Sequence, residues 1–338
     1  MKSIIVTGGL GFIGSNLINF LEKKNYFIIN IDKVSYSSNF NNINKNIKNY
    51  KHYRLNICDK NKISKIIVKY NPITLFNLAA ETHVDRSIDS PKEFIQSNIV
   101  GTFNLLEAIR ESKNKNLKLV HISTDEVYGD IKNQNKSKET DPYRPRSPYS
   151  ASKASSDHLI KSYYETYGLN SIITNCCNNF GPNQYPEKLI PTIIYNIIKN
   201  KPIPIYGKGN NIREWIYVKD HCEALYKISQ KNFYGENFNI GSNYIFTNLE
   251  LVKKIINFFT KKKIVLKNNI KINHVKDRPG HDFKYSLNSK KIKNTINWKC
   301  KYNFDEGLEE TILWYIDKFN NCFFKNRNFI KRQGLKND

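Results

Sequence analysis

The chain has 338 residues, with 54 Lys and Arg against 30 Asp and Glu and a formal net charge of +24. This length suits one large domain or two smaller ones, and 13% aromatic residues with long Ile-rich segments exclude intrinsic disorder. The six cysteines show neither a C-x-x-C pair nor metal-ligand spacing with the histidines. We therefore expect reduced thiols, no metal and a cytoplasmic protein.

The N-terminal apolar run ends at Thr7, Gly8 and Gly9, which is too short for a signal peptide. No later run reaches the roughly 18 apolar residues of a membrane span. The sequence therefore predicts no membrane partner.

The excess of basic residues raises the question of a nucleic-acid partner. Nine of the 54 basic residues are Arg, and the 45 Lys are scattered among many Asn and Ile. Nucleic-acid readers favour Arg and gather their charge on one face. A drift in composition explains this charge better, and we expect no nucleic-acid partner.

Short β-branched runs alternate with helical patterns in the first half, which is typical of βαβ units. We predict a strand over 3–7, a helix over 14–24 and a strand over 27–31, followed by strands over 53–57, 75–79 and 117–123. A helical pattern over 91–111 carries an apolar stripe of Phe94, Ile95, Ile99, Phe103 and Leu106. Helical spacing of this kind predicts core, with a dimer interface as the alternative.

The second half begins with a predicted helix over 148–167 and a strand over 171–175, and becomes irregular and Pro-rich from residue 181. Strand-like segments at 215–218 and 238–240 could join either of two sheets, and a helix is predicted over 309–319. The fold class is α/β, a Rossmann doubly wound parallel sheet with a smaller, discontinuous α/β substrate-binding domain. We divide the chain into a larger domain that carries the main sheet (1–180, with 214–242 returning), the smaller substrate-binding domain (181–213 and 243–325) and a basic tail (326–338).

Four glycines between the first strand and the first helix predict a dinucleotide site. Gly8, Gly9 and Gly11 permit a tight turn and close approach of a pyrophosphate to backbone N–H groups, and Gly14 permits close packing of helix and strand. Asp32 ends the second strand, where a carboxylate can accept hydrogen bonds from ribose hydroxyls and repel a 2′-phosphate. The cofactor predicted is therefore NAD rather than NADP.

Two further groups are candidates for proton transfer. Tyr149 and Lys153 are four residues apart at the start of a helix, so both project from one face. An adjacent Lys⁺, together with the positive nicotinamide ring, would lower the pKa of the phenol toward neutrality. Thr124, Asp125 and Glu126 follow the strand over 117–123, at the edge where open α/β sheets bind ligands. Adjacent carboxyl groups in different environments can serve as acid and base.

These residues lie in strings that resemble the dTDP-glucose 4,6-dehydratase family of extended short-chain dehydrogenases/reductases. The resemblance extends to about Asp317. The strings are TGGLGFIGS (7–15), LAAETHVDRSI (78–88), STDEVYG (123–129), SPYSASKASSDHL (147–159), NNFGP (178–182), PEKLIP (186–191), WIYVKDH (215–221) and DRPGHD (277–282).

The resemblance implies a homodimeric, NAD-dependent hydro-lyase acting on dTDP-glucose. It implies that Tyr149 removes the proton of the glucose 4-hydroxyl, assisted by Thr124, while hydride leaves C4 for NAD. Glu126 then takes the C5 proton, Asp125 protonates the departing 6-hydroxyl, and the hydride returns to C6.

The resemblance also implies binding residues, position by position. The implied cofactor contacts are Gly8, Gly11, Phe12, Ile13, Gly14, Asp32, Lys33, Ser35, Asn56, Ile57, Leu78, Ala79, Ala80, Ser97, Tyr149, Lys153 and Asn179. The implied sugar-nucleotide contacts are Thr82, Thr124, Asn178, Lys188, Leu189, Pro204, Ile205, Tyr206, Arg213, Asn248, Asp277, Arg278, Pro279, Gly280 and His281.

Arg213 and Arg278 suit a diphosphate, because a guanidinium pairs bidentately with phosphate oxygens. Asn56 departs from the Asp usual in the family, so cofactor affinity could differ. The rival functions are a sugar-nucleotide 4-epimerase or UDP-sugar decarboxylase, which lack the acid pair, and a non-catalytic NAD-binding regulator, which needs no Tyr149 and Lys153.

Overall fold

The computed structural model describes residues 1–132, 135–264 and 270–320. The predicted basic tail over 326–338 and Cys322 lie outside the described residues. The strands are β1 (Ser3–Thr7), β2 (Phe27–Asp32), β3 (Tyr50–Arg54), β4 (Thr74–Asn77), β5 (Lys118–Thr124), β6 (Ser171–Cys176), β7 (Asn178–Phe180), β8 (Ile203–Tyr206), β9 (Ile212–Tyr217), β10 (Asn237–Ile240), β11 (Ile245–Thr247) and β12 (Ile272–Val275).

Helices connect most of these strands. They are α1 (Phe12–Glu22), α2 (Lys60–Tyr70), α3 (Val84–Asp89), α4 (Pro91–Phe94), α5 (Gly101–Glu111), α6 (Pro148–Tyr167), α7 (Leu189–Ile198), α8 (Val218–Ser229), α9 (Asn248–Lys261), α10 (Lys290–Ile296) and α11 (Phe304–Asn320). A π-helical segment (Ile95–Val100) joins α4 to α5, and short 3-10 turns cover Phe40–Asn42 and Asp125–Tyr128.

The main sheet has seven strands in the order β10-β6-β5-β4-β1-β2-β3, and each neighbouring pair is parallel. The strand order reverses between β1 and β4, so the loops after these two strands diverge to opposite faces and leave a crevice at the carboxyl edge. Two smaller sheets, β11-β9-β7 and β12-β8, are formed by later segments. The Rossmann α/β fold predicted from the sequence is confirmed.

Helices cover both faces of the main sheet, and its inner strands β1, β4, β5 and β6 are buried at every residue. Ile4 and Val6 pack into one core cluster with α1 and α8, whereas Ile5 points into the other with α2, α5 and α6. Alternation along a strand sends neighbours to opposite faces, so a continuous apolar run such as β1 is required here. None of the helices in the described ranges combines the length and the apolarity of a membrane span.

Two predictions differ clearly from the structure. The third strand is β3, three residues earlier than predicted, because the apolar residue Ile57 packs against Gly101 instead of joining the sheet. The predicted core stripe divides: Phe94 and Leu106 are buried, but Ile95 and Phe103 are 52% and 43% exposed. The core interpretation is wrong for those two residues, since the helix turns one side of the stripe away from the protein.

The segments at 215–218 and 238–240, which the sequence assigned to neither sheet, belong to different sheets. β9 pairs with β7 and β11 in the small sheet, whereas β10 pairs with β6 at the edge of the main sheet. Helix α8 lies between them in sequence and packs on α1. The predicted division into domains remains a prediction.

Candidate active site

The glycine turn after β1 forms a cradle that a side chain would fill. A Cβ on Gly14 would lie 2.3 Å from the Gly8 carbonyl oxygen, and Gly8 itself has φ of 68° and touches Ala79. Helix α1 begins after Gly11 without a side-chain hydrogen bond to its cap. Unfilled N–H groups at a helix N-terminus bind anions, so these residues fit the pyrophosphate of a dinucleotide.

Asp32 ends β2 beside this turn and is already hydrogen-bonded. Its Oδ2 accepts from the Leu10 amide at 3.0 Å, and its Oδ1 accepts from the Val34 amide at 2.7 Å and from Ser38 Oγ at 2.9 Å. Lys33 pairs with Glu81 at 2.7 Å. Asp32 therefore fixes the loop over 33–38, and its Oδ2, which accepts a single hydrogen bond, keeps lone-pair capacity for a ribose hydroxyl.

A cleft of about 670 Å³ runs along the carboxyl edge of the main sheet. It contains the five predicted catalytic residues and all the predicted cofactor residues. The predicted substrate residues also line it, with the exception of Asp277 and Pro279. Asp277 instead accepts a hydrogen bond from His281 Nδ1 at 2.6 Å, so it orients a lining residue.

The acid pair follows β5, where Thr124 caps the turn by accepting a hydrogen bond from the Glu126 amide. Thr124 Oγ1 also donates to Asp125 Oδ1 at 3.2 Å. Asp125 Oδ2 is buried without a hydrogen-bond partner among the described residues. A buried carboxyl oxygen is costly unless it is protonated or meets a ligand.

The two carboxyl groups differ in electrostatic environment. Burial raises the pKa of Asp125 well above its usual range, and the charges of Glu126 and Glu214 raise it further. Burial also raises the pKa of Glu126, but Arg213, Arg278 and Lys188 oppose that rise. Asp125 is therefore suited to hold a proton, and Glu126 to be the ionised base.

Tyr149 and Lys153 are both buried on α6 and line the cleft. The pKa of Tyr149 is raised well above its usual range by burial and by the charge of Glu126, and a hydrogen bond with Thr124 opposes this. Among the protein residues alone, the pKa of Tyr149 thus shifts in the direction opposite to the lowering predicted from the Lys153 spacing, which stays a prediction for the protein with bound NAD. That prediction also relied on the positive nicotinamide ring, which the protein residues do not supply.

Lys153 is held by a buried polar network beneath the cleft. Its Nζ donates to the Ile122 carbonyl at 2.8 Å and lies 3.2 Å from His121 Nε2. Burial lowers the pKa of Lys153, while Asp157 raises it. His121 Nε2 lies 3.4 Å from Asp157 Oδ1, and burial and Lys153 lower the pKa of His121 to about 4.

Arg213 is held in place by backbone oxygens and a ring. Its guanidinium donates to the carbonyls of Ile212, Phe283 and Asp282 at 2.8, 3.2 and 2.9 Å. The guanidinium carbon also lies 4.3 Å from the ring centroid of Tyr285. These contacts fix its orientation at the cleft wall without neutralising its charge.

Arg278 reaches the cleft from the loop after β12. Its Nε forms an ion pair with Asp85 Oδ1 at 3.0 Å, and Asp85 Oδ2 accepts from the Tyr206 hydroxyl at 2.7 Å. Asp85 begins the short helix α3 on the other wall. The buried Asp85 thus orients Arg278, a candidate diphosphate ligand, across the cleft.

Asn179 is oriented by a buried histidine. Its Oδ1 accepts from His221 Nδ1 at 2.8 Å, and its Nδ2 donates to the Cys177 carbonyl at 3.0 Å. Burial lowers the pKa of His221 to about 3. The imidazole is therefore neutral. It fixes the side-chain amide of Asn179, which the family resemblance implies as a cofactor contact.

Several residues of the site were missed from the sequence. His83, Asp85, Tyr36 and Glu187 line the cleft, and His121 and Asp157 lie beneath it. The available signal was polar residues within otherwise apolar strings, such as His83 and Asp85 in LAAETHVDRSI. Their partners are far away in the sequence, so no local spacing indicated what they contact.

Known proteins match most of this chain. The family model for GDP-mannose 4,6 dehydratase matches residues 5–311. A dTDP-glucose 4,6-dehydratase of Haemophilus influenzae is 46% identical, over 94% of this chain and 98% of its own length. The chain belongs to the dTDP-glucose 4,6-dehydratase family.

Solved structures agree with this family. The dTDP-glucose 4,6-dehydratase of Bacillus anthracis, solved in complex with NAD, superposes with a TM-score of 0.86 at 40% identity, covering 95% of this chain and 98% of its own. UDP-glucose 4-epimerase of Thermus thermophilus has a TM-score of 0.84 at 26% identity, covering 93% and 99%. The fold alone therefore does not separate dehydratase from epimerase, whereas the sequence identity favours the dehydratase family.

The neutral His221 predicts a defined contribution to acid sensitivity. Between its folded pKa of about 3 and its usual value of 6.5, the unfolded chain binds a proton that the folded chain does not. Stability is thus lost as pH falls through this window, by up to about 1.4 kcal/mol per pH unit for one group. In His221→Gln, the slope of unfolding free energy against pH between 6 and 4 should decrease by about this amount.

Urea titrations at several pH values measure this slope. The exposed His158 provides the control, because His158→Gln should leave the slope unchanged. The slope, and not the absolute stability, is the readout, since any change at a buried position also alters packing. Equal slopes for His221→Gln and the wild type would contradict the assignment.

Proposed function

We propose that this protein converts dTDP-glucose to dTDP-4-keto-6-deoxyglucose and water, with NAD as a recycled cofactor. The observation that carries the proposal is the acid pair at the end of β5. Asp125 and Glu126 line the same cleft as Tyr149, and their surroundings favour a protonated Asp125 beside an ionised Glu126. Loss of water needs such an acid and base together, whereas epimerisation at C4 does not.

The proposed cofactor residues lie around the glycine cradle and the loops after β2 and β4. Gly8, Gly11 and Gly14 would receive the pyrophosphate, and Asp32 the adenosine ribose. When bound, NAD accepts a hydride from C4 of the sugar and later returns it to C6. Lys153 and Asn179 would also contact the cofactor. Each of them is held in a fixed position by a buried partner.

Three cations support recognition of the sugar nucleotide. Arg213, Arg278 and Lys188 line the cleft on the side of the smaller sheets. Two guanidinium groups and an ammonium suit a diphosphate, whose oxygens accept charge-assisted hydrogen bonds. The same cations oppose the rise in the pKa of Glu126, so substrate binding and base strength are electrostatically linked.

The protein's residues would act in sequence on the bound sugar. Tyr149, whose phenol pKa the positive ring of bound NAD would lower, takes the proton of the 4-hydroxyl as C4 is oxidised to a ketone, and Thr124 lines the same part of the cleft. The ketone acidifies the C5 hydrogen, which Glu126 removes as a proton. Asp125 donates its proton to the 6-hydroxyl, so the C6–O bond breaks and water leaves. Glu126, after exchange with solvent, returns a proton to C5, and C6 would receive the hydride that bound NAD holds.

Incubation of the purified protein with dTDP-glucose in deuterated water tests the proposal. The product expected is a 4-keto-6-deoxy sugar that carries deuterium at C5, with no net consumption of NAD. Mass spectrometry and NMR locate the label. A galactose epimer without label would instead establish an epimerase, and recovery of unchanged dTDP-glucose would favour a regulator.

The role of the acid pair in dehydration can be tested separately from the oxidation of C4. Asp125→Asn with Glu126→Gln should still reduce bound NAD, seen as reduced-nicotinamide absorbance, while formation of the dehydrated product falls at least about 10²-fold. Glu165→Gln on the exposed side of α6 is the control and should dehydrate normally. Dehydration at the native rate by the double variant would refute the proposed acid and base roles.

We also propose that the protein is a homodimer formed through α5 and the π-helical segment before it. Ile95 and Phe103 expose apolar side chains there, and Tyr167 on the adjacent α6 is 54% exposed. Clustered exposed apolar residues mark interaction surfaces. A second copy would cover them, consistent with the dimer that the family resemblance implies.

A charge on this face should break the dimer. Ile95→Glu with Phe103→Glu should give a monomer at micromolar concentration, because a buried unpaired carboxylate is strongly unfavourable. Light scattering after size-exclusion chromatography measures the mass. Val68→Glu, at a residue that is 66% exposed on α2, is the control and should stay dimeric. A monomeric wild type would contradict the proposal.

A further inference from the structure

A cluster of three side chains joins the two walls of the cleft. Glu187, two residues before α7, accepts the Tyr36 hydroxyl on Oε1 at 3.0 Å. Its Oε2 accepts from Arg86 Nη2 at 3.0 Å and from Nε at 3.3 Å. Tyr36 follows β2 and Arg86 lies on α3, so three segments remote in sequence meet at one carboxylate. We call Tyr36, Arg86 and Glu187 the cleft clasp.

Stacking reinforces the cleft clasp. The guanidinium carbon of Arg86 lies 3.9 Å from the ring centroid of Tyr36, and the Tyr185 ring meets the same ring edge-on at 5.4 Å. The Glu187 side chain is only 8% exposed. A charge pair that is shielded from water is screened less than a surface pair, and a cation over an aromatic face adds to it.

The cleft clasp lies over the cofactor part of the cleft. Tyr36 belongs to the loop that Asp32 fixes after β2, next to Ser35. Beside Glu187, Lys188 Nζ donates to the Thr82 carbonyl at 3.0 Å, in the loop after β4. The segment over 185–189 is thus bonded to both loops that carry proposed cofactor residues.

We infer that the cleft clasp retains NAD in the cleft by holding these loops to the segment before α7. This inference rests on the proposed function, in which the same cofactor molecule is reduced and reoxidised within one turnover. Release of the reduced cofactor midway would leave an oxidised sugar and an inactive enzyme. The three residues are positioning residues, since none is assigned to the reacting atoms.

Cofactor exchange measures this retention directly. Protein loaded with radiolabelled NAD is diluted into excess unlabelled NAD, without sugar nucleotide, and the retained label is followed over time. Glu187→Gln and Arg86→Met should each increase the NAD dissociation rate about tenfold or more, because each removes a charge-assisted contact that holds the loops. Tyr36→Phe, which keeps the stacked ring, should give a smaller increase in the same direction.

The double variant Arg86→Met with Glu187→Gln tests whether the two residues retain NAD through their shared contact or through two independent effects. Residues that act through one contact show non-additive changes, so its dissociation rate should resemble that of the single variants. Glu236→Gln, which loses an ion pair with Lys291 at the surface, is the control and should exchange at the wild-type rate. Activity that the clasp variants lose on dilution should return when NAD is added.

Two results would overturn the inference. Wild-type NAD exchange in Tyr36→Phe, Arg86→Met and Glu187→Gln would show that the contacts do not retain the cofactor. Faster release of dTDP with unchanged NAD exchange would assign the same contacts to the nucleotide sugar. Because the exchange assay contains no sugar nucleotide, its outcome is independent of whether the protein dehydrates dTDP-glucose.

Discussion

The buried carboxylate of Asp157 joins the two elements that carry the proposed chemistry. It lies on α6, and its Oδ2 accepts from Ser123 Oγ on β5 at 2.7 Å and from the Tyr143 hydroxyl at 3.0 Å. Burial raises its pKa, but the hydrogen bonds with His121 and Ser123 and the charge of Lys153 bring the pKa below its usual value. Because α6 carries Tyr149 and β5 ends at the acid pair, this one ionised group sets the distance between phenol and carboxyls.

The cleft also brings several charged side chains together where little water reaches them, and these side chains need other partners. Three of the cations within the cleft have fixed partners: Lys153 has the Ile122 carbonyl, Arg213 has backbone carbonyls and Arg278 has Asp85. Oriented partners of this kind need no reorganisation when charge develops in a reaction. The net charge of +24 therefore says little about function, since a few positioned cations in the cleft matter more than the many lysines elsewhere.

Features encoded by neighbouring residues were predictable from the sequence. The turn around Gly8 and Gly14, the strand leading to Asp32 and the helix over 148–167 each depend on a short stretch of chain. The acid pair was also found, because a strand end places its residues at the ligand edge. What the sequence could not supply was distant pairing: the Asp85 contact with Arg278 spans 193 residues, and periodicity alone did not tell which side of the 91–111 stripe faces solvent.

The return of β10 to the edge of the main sheet has a consequence for how such a protein can be divided. The chain leaves that sheet after β6, contributes to the small sheets, and comes back to pair with β6. A gene fragment ending anywhere between these two strands would lack an edge strand of the larger sheet as well as β11 and β12 of the smaller ones. The three sheets are consequently interleaved along the chain, and no single cut between β6 and β10 leaves the larger sheet complete.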